Sequence, residues 1–478
     1  MVREDKIPPA TPKGLIPAAV WVFAAWIGLA IFSARCLYAD GSHEFIKTLA
    51  AQDFVSFMWS RHFAFHVFEC PLVLAIKLGV TDLFWLRIAF GLGCFLPWPV
   101  ILFACRRLSP ENFWMAVTGC AAGYLNAATM AVGEHILAHA FYWPALMAIL
   151  FARPLKPWSA LILLASATGL LFSYESQFIL CLILAVLSFG RIAGEKREPA
   201  PQGKRLGSWA VLAAAGILLL AGSAIGLHAA LRPEIPVNYE GFMANLSTLL
   251  THTGWTLTWT LLWIGLMLAV GLSEKPWNIL RQRLAQTLVG LALAIWGLWP
   301  LLSPTDLEPE RQYYNRSLDL LVPLALLPVV LISRYRPLWL AARGRRLECM
   351  AAVLLIVQST WQIGATWQWQ QDVGKLQGLL SSHGAIIPLH STILASSSME
   401  SRGREFDWTW PCLSIALTPD RHIQSLVCAE WYVDPRNRQK LWQPFYPPEV
   451  ETFPDLRHYG IDYSNYAALL KISAGQNQ

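Results

Sequence analysis

Charged residues are scarce in this chain. Aspartate, glutamate, lysine and arginine make up 14% of its 478 residues, whereas about 25% is typical of soluble domains. The shortage excludes a single large soluble enzyme, a coiled coil, a disordered chain and a nucleic-acid-binding protein, although the net charge is +6. Nine cysteines in so long a chain also exclude a disulfide-rich secreted scaffold.

Common catalytic motifs are missing as well. The sequence has no glycine-rich phosphate-binding loop, no HExxH motif and no CxxC pair. These absences argue against a nucleotide-binding domain and against the usual zinc sites.

Apolar residues are abundant instead. They make up 55% of the chain, which has 23 tryptophans and a mean hydropathy of +0.42. Because about 20 apolar residues cross a bilayer as a helix, the pattern predicts an all-α polytopic membrane protein. The eleven predicted spans are Leu15–Ala34, Asp82–Cys105, Asn112–Ala131, His135–Phe151, Trp158–Phe172, Gln177–Gly190, Ser208–Ala229, Gly254–Ser273, Ala285–Leu302, Ser317–Ser333 and Glu348–Thr366.

The basic residues predict the orientation. With eleven spans, twenty lysines and arginines fall on one side and six on the other, so the richer side is expected to be cytoplasmic. The N-terminus is then inside, and the first span is too long for a cleaved signal peptide. The composition favours a bacterial inner membrane.

Two segments between spans are predicted to lie at the outer face. Within the juxtamembrane loop 37–81, the apolar run Phe63–Val80 is interpreted as a surface helix, because a twelfth span would reverse the side of every later basic cluster. Residues 173–177 are expected to break a long apolar run into two short helices that meet outside.

The chain changes character after residue 366. Residues 1–366 are predicted to form the membrane domain, and 367–478 a small periplasmic domain of α/β or α+β type. Its alternating runs Ala385–Leu389, Leu413–Leu417 and Ile423–Cys428 are predicted strands. Disulfides between Cys412 and Cys428, or between Cys36 and Cys70, are left open.

Acidic residues collect where helices emerge on the outer face. They are Asp40, Glu44, Glu134 and Glu175, with more acids in the loop 304–316. A transporter would more often carry ionisable groups near mid-bilayer, and the predicted spans hold few. The distribution indicates chemistry at the outer membrane–water boundary.

Several motifs carry a family resemblance over residues 15–190. They are the run from Pro71 to Asp82 followed by Arg87, the pair Arg106-Arg107, Tyr38-Ala-Asp40-Gly-Ser and Val132-Gly-Glu134-His-Ile. In this arrangement the chain resembles the GT-C integral-membrane glycosyltransferases, especially the aminoarabinose transferases and protein mannosyltransferases. It departs from them in having Gly41 after the first acid, glutamate as the second acid, and Tyr174-Glu175-Ser176 between spans 5 and 6.

The resemblance implies a sugar donor linked to polyprenyl phosphate and an outer-face acceptor that is a lipid, glycan or protein. Asp40 would be the base that deprotonates the acceptor, or alternatively the N-cap of a helix beginning near His43. Glu134 would orient the acceptor or hold a metal, or be a solvated loop acid. Glu44 and Glu175 would contact substrate, although a solvated helical face also explains Glu44.

A lipid-phosphate leaving group requires positive charge or hydrogen-bond donors at the bilayer surface. The candidates are Arg61, Lys77, Arg311, Tyr313, Tyr314 and Arg316. Interfacial anchoring is the alternative role for each of them. Membrane lipids are expected partners in either case.

Two histidine pairs have helical spacing. His62 and His66, and likewise His135 and His139, are four residues apart, which suits either a metal site or an ordinary packed helical face. No metal site is predicted, although by analogy a divalent ion could bridge Asp40, Glu134 and a phosphate.

Three other functions remain open. A transporter or flippase, or a polymerase or ligase, could act on lipid-linked glycans. A non-catalytic membrane scaffold could also have the same fold.

Overall fold

The fold is mostly helical. The computed structural model describes residues 15–55, 59–125, 132–196, 203–232, 265, 311–335, 337–382, 386–389, 409–418, 423, 425–428 and 456–462. Its helices are α1 (Leu15–Phe32), α2 (Asp40–Ala51), α3 (His62–Lys77), α4 (Leu83–Phe95), α5 (Pro97–Leu108), α6 (Phe113–Gly119), α7 (Glu134–Leu150), α8 (Pro157–Leu171), α9 (Phe178–Lys196), α10 (Gly203–Leu231), α11 (Arg311–Tyr335), α12 (Pro337–Ser382) and α13 (Trp410–Leu417).

Several helices are long and apolar enough to cross a membrane. Among the described residues they are Leu15–Phe32, Leu83–Leu108, Glu175–Glu195, Leu206–Leu231 and Gly344–Ser381. The chain is therefore a helical membrane protein. Apart from residue 265, the predicted spans Gly254–Ser273 and Ala285–Leu302 lie outside the described residues, so the count of eleven and the orientation remain predictions.

Local sequence explains where helices begin and end. The Asp82 carboxylate caps α4 by accepting a hydrogen bond from Phe84 N at 2.9 Å. Pro97 occupies the first turn of α5, where its missing N–H costs nothing. The predicted break between two short helices is confirmed, since α8 ends at Leu171 and α9 begins only at Phe178.

The predicted juxtamembrane helix is confirmed as a helix. It is α3, which runs from His62 to Lys77 and packs against α4. On the other side of the fold, α1 packs against the 46-residue helix α12. At about 1.5 Å per residue, α12 is longer than a bilayer core is thick, and the expected domain boundary at residue 366 falls inside it.

The C-terminal segment packs on α2. Strand β1 (Ile386–Pro388) pairs in parallel with β2 (Leu426–Cys428), within two of the predicted strands. The strand predicted at Leu413–Leu417 is wrong, because these residues belong to the helix α13. This helix is buried on all sides, so its apolar run shows neither helical nor strand periodicity.

Hydrogen bonds attach this segment to α2. Ser42 Oγ donates to the Thr409 carbonyl at 3.3 Å, and Tyr459 Oη donates to the Leu49 carbonyl at 3.0 Å. Cys412 and Cys428 are both buried, and no disulfide joins them or joins Cys36 to Cys70. Neither disulfide forms in this structure.

Candidate functional site

Three predicted site residues meet around the Arg61 guanidinium. Its Nε donates to Glu175 Oε1 at 2.9 Å, and its NH1 donates to Glu134 Oε1 at 3.2 Å. Ser60 Oγ also donates to Glu175 Oε1, at 2.9 Å. The Arg61 Cζ lies 4.9 Å from the centre of the Tyr174 ring, close enough for a cation–π contact. We call these five residues the Arg61 cluster.

The cluster joins three connections between helices. Arg61 directly precedes α3, Glu134 is the first residue of α7, and Glu175 begins the 3₁₀ turn before α9. A carboxylate at a helix N-terminus interacts favourably with the unpaired backbone N–H groups there. Each acid is therefore suited to its own helix start, and tertiary packing brings both to one guanidinium.

The cluster is largely withdrawn from solvent. The side chains of Arg61, Glu134 and Glu175 are 13%, 13% and 18% exposed. Burial acts to lower the pKa of Arg61, but the two carboxylates outweigh it, so the pKa is raised. One guanidinium therefore faces two acids, which leaves the cluster with excess negative charge.

A second polar group lies between α2 and α3. Glu44 and Glu69 are buried, and Glu69 accepts a hydrogen bond from Val55 N at 2.9 Å. Burial raises the pKa of both carboxyls and lowers the pKa of Lys47 between them. Glu134 raises the pKa of Glu44 further, so this group is electrostatically linked to the Arg61 cluster.

Lys47 and Glu69 were missed by the sequence interpretation. The available signals were the three-residue spacing of Glu44 and Lys47, which places them on one helical face, and an acid inside the otherwise apolar α3. The C-terminal helix α13, which includes Cys412, packs against α2, the helix that carries Glu44 and Lys47.

Asp40 lies at the start of α2 and is partly buried. The alternative role as N-cap is wrong, because α2 begins at Asp40 itself and Ala39 occupies the cap position. Ala39 has φ 55°, a conformation that is costly for a residue with a Cβ. Next to Asp40, a Cβ on Gly41 would collide with the Cys36 carbonyl and contact Val132, so α2 starts beside the segment that leads to Glu134.

Lys77 and the first histidine pair lie away from the Arg61 cluster. Lys77 Nζ pairs with Asp53 Oδ2 at 3.4 Å, and both side chains are more than half exposed. The His62 and His66 ring centres are 4.1 Å apart on the outside of α3. Among the residues that the structure describes, no group of three or more histidine, cysteine or acidic side chains could hold a metal ion.

The second histidine pair faces an acid that the sequence interpretation overlooked. Asp319 of α11 is fully buried, with Oδ2 3.6 Å from His135 Nε2 and Oδ1 3.7 Å from His139 Nδ1. The signal was an acid within an apolar span, which is costly and for that reason commonly functional.

The remaining predicted phosphate-binding residues begin α11. The helix starts at Arg311, so Arg311, Tyr313, Tyr314 and Arg316 occupy its first two turns. Their side chains are not among those that the structure describes. Because α11 packs against α7, its helix axis approaches the element that begins with Glu134.

The fold and these clusters define a helical membrane protein with a polar site at helix ends. No protein-family model, curated protein or solved structure matches the chain. Function therefore has to be argued from the residues.

Proposed function

We propose that this protein is a membrane glycosyltransferase that moves a sugar from a polyprenyl-phosphate carrier to an acceptor at the periplasmic face of a bacterial inner membrane. The observation that carries the proposal is the junction at Arg61. Acids from two separate interhelical connections meet one guanidinium there. Next to Asp40, a Cβ on Gly41 would contact Val132, two residues before Glu134. Such convergence at helix ends is typical of a binding or catalytic site.

Asp40 is assigned as the base. The acceptor oxygen would attack the anomeric carbon, its proton would pass to the Asp40 carboxylate, and the sugar–oxygen bond to the carrier phosphate would break. The strained Ala39 backbone supports this role, because strain of this kind is often retained at functional positions. Glu134 is engaged by Arg61, which suits it to orienting the acceptor rather than removing its proton.

The departing phosphate is assigned to the first turns of α11. Arg311 and Arg316 supply positive charge there, and Tyr313 and Tyr314 supply hydroxyl donors. Arg61 is occupied by two carboxylates, so its proposed role is to hold the acidic pair in place. Lys77 is paired with Asp53 at the surface and is dropped from the phosphate site.

Native mass spectrometry of the protein in mild detergent tests the donor. The expected result is a retained polyprenyl phosphate carrying a hexose, pentose or amino sugar. Detection of ordinary phospholipids alone, even after synthetic polyprenyl phosphate is added, would contradict the proposal.

A substitution pair tests the catalytic role. Asp40→Asn should lower sugar transfer by about 10²–10⁴-fold, the usual contribution of a general base. Asp53→Asn is the matched control, because Asp53 is an exposed aspartate of the same outer segment, and it should leave transfer unchanged. Equal transfer by the two variants would remove Asp40 from the mechanism, whereas the absence of transfer by the unmutated chain would favour a non-catalytic scaffold.

A transporter or flippase of lipid-linked glycans is the second candidate. The observation that favours it is the buried Asp319 beside two histidines, since intramembrane acids often belong to ion or proton pathways. It predicts carrier movement across proteoliposomes without formation of a new glycosidic bond. A polymerase or ligase would instead extend or attach a glycan chain in the same transfer assay.

A further inference from the structure

A buried carboxylate without hydrogen bonds lies beneath the Arg61 cluster. Asp319 is 0% exposed, and neither of its carboxylate oxygens has a hydrogen-bond partner. An isolated ionised carboxylate costs many kcal/mol in a low-dielectric interior, so such a group is neutralised by a partner or by a proton. The surroundings of Asp319 decide between these two outcomes.

His139 is already committed to other groups. Its Nδ1 is 2.9 Å from the Asp319 backbone carbonyl, which can only accept, so Nδ1 carries the hydrogen. Its Nε2 lies 3.1 Å from Trp143 Nε1, which can only donate, and 3.1 Å from the Gly119 carbonyl, which can only accept. Nε2 can satisfy only one of these two groups. Accepting from Trp143 leaves His139 neutral, and because the ring is fully buried, this form is favoured over an imidazolium.

The same arrangement argues against a metal ion. Because Nδ1 of His139 carries a hydrogen, it has no lone pair to give a metal. Among the side chains that the structure describes, Asp319 and His135 alone would be too few ligands for the usual four-coordinate zinc site.

His135 is the second histidine of α7 beside Asp319. Its Nε2 lies 3.6 Å from Asp319 Oδ2, about 0.6 Å beyond a usual hydrogen bond. From the π-helical segment Cys120–Tyr124, Gly123 faces the acid, and a Cβ there would come within 3.1 Å of Oδ1. Among the described side chains, the ionisable groups paired with Asp319 are the two histidines, and Arg316 lies one turn earlier on α11.

We propose that Asp319 is a proton-binding site, a neutral carboxylic acid that keeps its hydrogen and directs it towards His135 Nε2 inside the helical bundle. The neutral pair is favoured over a carboxylate–imidazolium pair because separating charge in a dry interior is costly. His135 also gives the site its connection to the outer face. It directly follows Glu134, and its ring centre is 5.6 Å from that of Tyr174. The inference goes beyond the proposed sugar transfer and does not depend on it.

Infrared spectroscopy of the purified protein tests the proposal. At neutral pH the spectrum should contain a protonated carboxyl band that shifts when the chain is labelled with ¹³C-aspartate. This arm uses the unmutated chain, so it does not depend on a variant folding. A band that shifts only with ¹³C-glutamate labelling would overturn the proposal, and so would an imidazolium signal without any aspartic acid band.

Variants then identify the residue that gives rise to the carboxyl band. Asp319→Asn should abolish the aspartate-sensitive band, and His135→Leu should move it to the higher frequency of an acid without a hydrogen-bond acceptor. Glu69→Gln is the matched control, because Glu69 is another buried acid but lies in α3. An aspartate-sensitive band that persists in Asp319→Asn would place the bound proton elsewhere.

Discussion

Replacing Arg61 with methionine should strongly destabilise the fold. The substitution keeps much of the side-chain volume and removes the charge that faces Glu134 and Glu175 at 3.2 and 2.9 Å. Removing one partner of a buried ion pair costs about 3–5 kcal/mol. Because the acids remain 13% and 18% exposed, we expect the free energy of unfolding to fall by about 3 kcal/mol. Unfolding in mixtures of SDS and mild detergent measures this change.

Two comparisons make this prediction specific. Lys77→Met removes a cation from an exposed pair and should cost less than about 1 kcal/mol. Adding Glu175→Gln to Arg61→Met should restore part of the lost stability, because one unpaired carboxylate is then neutral. If Arg61→Met were no more harmful than Lys77→Met, the Arg61 cluster would not be the electrostatic junction inferred here.

Three further predictions follow from burial and packing. Burial raises the pKa of Glu69 from 4.5 to about 8, so between these pH values the folded chain retains a proton that the unfolded chain releases. The free energy of unfolding should therefore fall by about 1.4 kcal/mol per pH unit between pH 4.5 and 8. Denaturation measured at several pH values should show a smaller dependence on pH for Glu69→Gln. Gly41→Ala places a Cβ on the Cys36 carbonyl and should cost about 1–3 kcal/mol of unfolding free energy, whereas Gly378→Ala, which meets nothing within 4 Å, should be neutral or stabilising. Arg191 donates to three carbonyls at the end of α7 at 2.8–2.9 Å, so Arg191→Met should lower the thermal unfolding temperature by an amount equivalent to about 3 kcal/mol. A stability equal to that of the unmutated chain would contradict either the glycine or the arginine prediction.

Local pattern predicted the long apolar helices that the structure describes and two of the three C-terminal strands, but it mistook one short helix for a strand. Apolar runs of membrane length are unambiguous, and the break at residues 173–177 follows from polar residues inside such a run. The run Leu413–Leu417 is too short and too uniformly apolar to distinguish a strand from a buried helix. Its true state depends on packing against α2, which one sequence does not encode locally.

The sequence predicted which residues belong to the candidate site but not how they are arranged in space. Acids at the outer ends of helices could be found by placing charges on the predicted topology, and Arg61, Glu134 and Glu175 are indeed brought together. Nothing local distinguishes Arg61 from Lys77, because both are basic residues of the same loop. Only tertiary packing directs Arg61 into the bundle and leaves Lys77 at the surface.

The two polar regions of the bundle separate the competing functions. Asp40 lies at a helix end, where the proposed glycosyl transfer would take place, whereas Asp319 lies among packed helices, where proton movement would take place. A transferase should lose product formation in Asp40→Asn and keep carrier binding, because the base acts only in the chemical step. A proton-coupled transporter should instead lose movement of its cargo in Asp319→Asn and tolerate Asp40→Asn. Both variants can be reconstituted in the same type of proteoliposome and assayed for product formation and for cargo movement. The residue whose replacement abolishes activity then distinguishes the two mechanisms, before the sugar or the acceptor is known.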